Sequence, residues 1–81
     1  MKFNKTNDIY ADLIQKLKTS GYSKSYVERL GTEINWLIRN QNREDIQSYG
    51  DACRIRISRT KSREMQTTYR RVYKTLENFD L

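Results

Sequence analysis

The chain has no histidine, no proline and a single cysteine among 81 residues. Without histidine it lacks the commonest general base and the commonest zinc ligand, and one cysteine alone forms neither an internal disulfide nor a metal cluster. Catalysis by this chain alone and a resident cofactor are therefore not expected. One unpaired thiol suits a reducing compartment. No apolar run approaches the roughly 18 residues of a membrane span, and no signal-peptide core follows Met1, so a soluble, cytoplasmic protein is expected. Glycine is also scarce, at three residues, which leaves few chain breaks.

Acidic residues are missing from one stretch in particular. From Arg54 to Lys74 eight of the sixteen Lys and Arg residues face a single acid, Glu64, a local balance of +7 that leaves the rest of the chain at −1. The whole surplus of +6 therefore belongs to one segment. That concentration points to an anionic partner on one surface, and nucleic acid fits it best.

A hydrophobic fraction of 36% is low for a globular domain. The apolar residues are nevertheless spaced three and four apart almost throughout, which a disordered basic tail does not show. The length allows one domain, 1–81, with a thin core. The spacing predicts an all-α, small four-helix bundle, with helices over about 7–20, 24–39, 43–58 and 62–79.

The first helix begins after Thr6 or Asn7 as N-cap, shows Ile9, Tyr10, Leu13, Ile14 and Leu17 on one face, and stops at Gly21. Ser23 caps the second, whose stripe is Tyr26, Val27, Leu30, Ile34, Leu37 and Ile38. The third opens at Arg43, Glu44 and Asp45 and carries Ile46, Tyr49, Cys53 and Ile57, with Gly50 allowing close approach of another helix. The fourth, capped by Thr60 or Ser62, sets Met65, Tyr69, Val72, Leu76 and Phe79 within about 40° of one line. The chain stops at Leu81, directly after this helix, as either a complete product or the leading part of a longer one would.

Opposite the apolar stripe of the fourth helix, Arg63, Thr67, Arg70 and Lys74 recur at spacings of four, three and four, with Gln66 and Arg71 on the flanks. Arginines and lysines there reach phosphates, while Arg, Gln and Thr also suit base edges in the major groove. Arg59, Lys61 and Ser62 precede the helix, where free backbone amides receive an anion. A second cluster, Tyr22, Ser23, Lys24 and Ser25, stands at the start of the second helix. Arg56, next to the Ile57 core position, is read as a buried stem rather than a contact. Trp36 lies off its helix stripe, either covered by another helix or open to a partner, and Cys53 is read as a small core residue.

This order of features resembles the core-binding domain of tyrosine recombinases of the phage-integrase type, over Thr6 to Leu81. The matching pieces are Gly21-Tyr22-Ser23 closing the first helix, and a Ser-initiated second helix with Leu30, Ile34 and Leu37. Glu44-Asp45-Ile46-Gln47-Ser48-Tyr49 then opens the third helix, and Lys61-Ser62-Arg63 a basic fourth. The resemblance implies a SAM-like bundle forming one half of a clamp around double-stranded DNA, with its second and fourth helices on the duplex. It places contacts on Ser23, Lys24, Ser25, Lys61, Ser62, Arg63, Gln66, Thr67 and Arg70, and the charge pattern adds Lys74. It also implies as partners a catalytic domain following this one or other recombinase subunits, and a bacterial or phage nucleoid setting on a mobile element. That family's catalytic domain, with its Arg, His and nucleophilic tyrosine, has no counterpart here. The alternatives are an RNA-binding helical domain, or a protein-interaction module that docks an acidic partner and uses Trp36 as anchor.

Overall fold

The computed structural model describes the backbone of residues 7–79 and the side chains of residues 11–79. Within these bounds the chain folds into four helices and no strand: α1 (Asn7–Lys18), α2 (Lys24–Arg39), α3 (Tyr49–Ser58) and α4 (Arg63–Phe79). The expected cap at Thr6 and the side chains of Ile9 and Tyr10 lie outside the described residues, as does Leu81.

Local chemistry sets most of the boundaries. α1 ends where Ser20 donates both its amide and its hydroxyl to the Leu17 carbonyl, and Gly21 then turns the chain at φ +89°, a conformation that costs little only without a Cβ. The Ser23 hydroxyl oxygen accepts the Tyr26 amide and starts α2. Ser62 does the same for α4 through the Met65 amide, so Ser62 rather than Thr60 is its cap.

The third helix differs from its expected span. Residues 43–48 are not helical, and α3 starts six residues late, at Tyr49. Ser48 is the reason: its hydroxyl oxygen accepts the Asp51 amide, while the Asp51 carboxylate accepts the Gln47 amide at 2.9 Å. This Ser-x-x-Asp exchange is a variant of the capping box and fixes the start of the helix. Upstream, the Arg43 guanidinium folds onto Asp45 through bonds of 2.9 and 2.6 Å instead of entering a helical turn. Ile46 still reaches the core, 1% exposed, but from the loop. Gly50 brings no helix close either, since a Cβ there meets only the Ser48 hydroxyl at 3.6 Å.

α1 packs on α2 and α3 on α4, and contacts of α4 with α2 and α1 join the pairs. Leu13, Leu17, Leu30, Ile34, Leu37, Ala52, Val72 and Leu76 meet at the centre. Burying the Leu, Ile and Val side chains among them supplies about 1.5–3 kcal/mol each before the entropy of ordering is subtracted. Trp36 also lies in the core, 6% exposed, and Cys53 packs half-buried against it. Among the described residues no helix is long and apolar enough to cross a membrane.

Candidate nucleic-acid interface

α4 presents two chemically opposed sides. Tyr69, Val72, Tyr73 and Leu76 are buried, while Arg63, Thr67, Arg70 and Lys74 are exposed along the other side. The division follows from the helical period, which brings residues three and four apart onto one face. Lys61 and Ser62 are exposed just before it, directly after the turn that ends α3, which is closed by amide bonds from Arg59 to the Arg56 carbonyl and from Thr60 to the Ile57 carbonyl. Gln66 is half-buried, and its Nε2 donates to the Thr60 carbonyl at 3.2 Å. Its amide thus braces the turn, leaving the second N–H and the side-chain oxygen for other contacts.

Two of the eight cations between Arg54 and Lys74 are neutralised internally. Arg54 pairs with Asp51 on the surface of α3. Arg56 points inward and meets Glu33 of α2, with Nε to Oε1 at 2.8 Å and Nη2 to Oε2 at 3.1 Å. The Trp36 and Tyr69 rings flank the Arg56 guanidinium at 5.1 and 5.0 Å from their centroids. Burial works against the Arg56 charge, but the Glu33 hydrogen bonds and its negative charge outweigh that and hold its pKa above the usual value. Glu33 is fully buried and also accepts the Tyr73 hydroxyl at 2.9 Å.

What remains on the surface is a set of cations outside any ion pair, of which Arg59 still acts at longer range on the Asp45 carboxylate. Arg59, Lys61, Arg63, Arg70, Arg71 and Lys74 make no ion pair among the described residues. Arg56 and Glu33 leave the surface together as a neutral pair, so the surplus of positive charge rests on those six cations. Among the described residues there is also no cluster of His, Cys, Asp or Glu able to hold a metal.

The second cluster adjoins α4 far from the first. Lys24 and Ser25 are exposed at the start of α2, and the Ser23 and Ser25 hydroxyl oxygens lie 3.4 Å apart. The Tyr26 hydroxyl bonds Thr75 of α4 at 2.9 Å, and a cleft of about 330 Å³ is lined by Tyr22, Ser23, Tyr26, Arg71 and Thr75. Ser23 is thus set beside Arg71, whereas Lys61, Ser62 and Arg63 stand at the opposite end of α4, about 18 Å from Thr75 along the helix axis. On the other edge of α4, Arg70 and Lys74 line a shallow groove of about 270 Å³ with Tyr49, Cys53, Tyr73 and one acid, Glu77. The candidate surface is a strip along α4 with α2 at one end, not a single pocket.

Spacing alone leaves two residues without their observed roles: Glu33 is not named by it, and Arg71 is named only on the flank of the exposed line. Glu33 falls between Leu30 and Leu37 on the α2 stripe, and an acid on a core face requires a buried cation, which was the available signal. Arg71 sits one position off the exposed line, and only the approach of α2 gives it a role. No protein-family model, curated protein or solved structure matches the chain.

Proposed function

We propose that this chain binds double-stranded DNA, in the manner of the core-binding half-clamp of an integrase-type tyrosine recombinase. The observation that carries the reading is the exposed line Arg63, Thr67, Arg70 and Lys74 on α4, whose cations have no acidic partners among the described residues. A helix with such a side enters the major groove, with its cations on phosphates and Arg63, Arg70 or the Gln66 oxygen available to base edges. The role is positional: strand cleavage belongs to a catalytic domain or to other recombinase subunits, and the setting is the bacterial or phage nucleoid in the cytoplasm. Trp36, the anchor considered for a protein-docking surface, is only 6% exposed, which supports DNA over that reading.

The test is a titration of the full chain with an end-labelled duplex over a salt series. Contact with about four to six phosphates gives a log–log slope of about −3.6 to −5.4. Arg63→Ala and Arg70→Ala are each expected to weaken binding while helicity is unchanged. Wild-type affinity in both variants would dismiss the α4 face as the contact surface.

A further inference from the structure

Arg71 is exposed, has no acidic partner among the described residues, and lines the α2–α4 cleft with Tyr22 and Ser23. The Tyr22 ring, 39% exposed, is held against Tyr26 at 5.2 Å and Phe79 at 6.0 Å between centroids. An apolar ring left at the surface yet fixed by two others is a preorganised contact, because little side-chain entropy remains to be lost on binding.

The floor of the cleft is fixed as well. The Thr75 hydroxyl donates to the Arg71 carbonyl at 3.0 Å, so the bond between Tyr26 and Thr75 is donated by the Tyr26 phenol. Both of these protons are used within the protein, and the guanidinium of Arg71 is the charged donor left to a ligand, with the Tyr22 phenol beside it. The site does not rely on the first turn of α2, where Ser23 already receives the Tyr26 amide.

A planar cationic fork beside a fixed aromatic ring matches a phosphate joined to a sugar. We infer that this cleft seats one phosphodiester of the DNA backbone, with Arg71 donating to its two non-bridging oxygens and the Tyr22 ring against the adjoining deoxyribose. The inference rests on the DNA-binding reading and adds an anchor to it. Arg71 stands about 12 Å along α4 from Arg63, so a phosphate held there fixes how far the helix slides along the duplex.

The experiment compares wild type, Arg71→Ala, Arg71→Lys, Tyr22→Ala and Arg63→Ala against two labelled duplexes of unrelated sequence across a salt series. Arg71→Ala is expected to weaken both duplexes equally, by roughly tenfold, and to reduce the salt slope by about 0.9. Arg71→Lys restores the slope but not the full affinity, since a point charge lacks the fork. Tyr22→Ala weakens binding with the slope unchanged. Circular dichroism should be the same for the Arg71 variants, whose side chain is at the surface. If Arg63→Ala binds weakly while Arg71→Ala equals wild type in affinity and slope, the phosphate seat is wrong and DNA binding stands. If the wild type fails to bind either duplex at low salt, both readings fall.

Discussion

The Tyr73 phenol on α4 donates to Oε1 of Glu33 on α2 at 2.9 Å, across 40 residues of chain. The same carboxylate receives Arg56 of α3 through both oxygens, so one buried acid joins three helices. Removing it leaves a cation facing the core without its counter-ion. Glu33→Ala is expected to cost about 3 kcal/mol, the low end for breaking a buried pair, because the Arg56 side chain keeps 20% of its exposure. Urea unfolding measures this directly, and a loss below about 1 kcal/mol would mean that the pair behaves as a surface one.

Tyr73 gives the fold a dependence on alkaline pH. Burial raises its pKa far above the usual 10.0, and the negative charge and hydrogen bond of Glu33 push it in the same direction. The phenol therefore stays protonated in the folded state while it ionises near 10 in the unfolded chain. Above that pH the native state binds the extra proton, so its contribution is complete below pH 10 and declines as the pH rises beyond it. Tyr73→Phe is expected to lower stability by about 1 kcal/mol at neutral pH. Its decline above pH 10 should be shallower than that of the wild type by up to about 1.4 kcal/mol per pH unit. Parallel stability curves for the two proteins would remove Tyr73 from this role.

Where a signal was local, the sequence carried it. α2 spans the expected residues because Ser23 and the Leu30, Ile34, Leu37 stripe act within one helix, and Gly21 turns where a left-handed residue was needed. The start of α3 was misplaced because helical spacing continues through Ile46, although Ser48 and Asp51 had the spacing of a cap. The exposed line on α4 was readable from its period alone. The Glu33 network and the Arg71 cleft depend on which helices meet, and periodicity within one helix does not encode its neighbours.

Trp36 illustrates the same limit and leads to a spectroscopic prediction. It lies off its own stripe, yet it is 6% exposed because Arg56 of α3 covers its ring. Its emission should be that of a buried indole, resistant to iodide quenching and unchanged at saturating DNA. Trp36→Ala should cost about 3–5 kcal/mol through the cavity it leaves. A large emission change on DNA binding, with circular dichroism constant, would place this ring at the interface instead.

Cys53 reports on the α3 edge of the basic strip. It is half-buried and shares the shallow groove with Arg70 and Lys74. Burial pushes its thiol upward from the ordinary value, Arg70 pulls it down, and Glu33 adds to the rise. Since the thiolate is the attacking species, alkylation should be slower in the folded protein than in urea, and slower again in Arg70→Ala. Those two causes leave different signatures: losing Arg70 moves the pH–rate curve to higher pH, whereas covering the groove lowers the rate at every pH. Duplex DNA lying along Arg63, Arg70 and Lys74 should therefore depress the whole curve and, through its phosphates, also move it to higher pH. If saturating DNA leaves it untouched, the duplex does not cover this groove, and contact falls on the Arg71 side of α4.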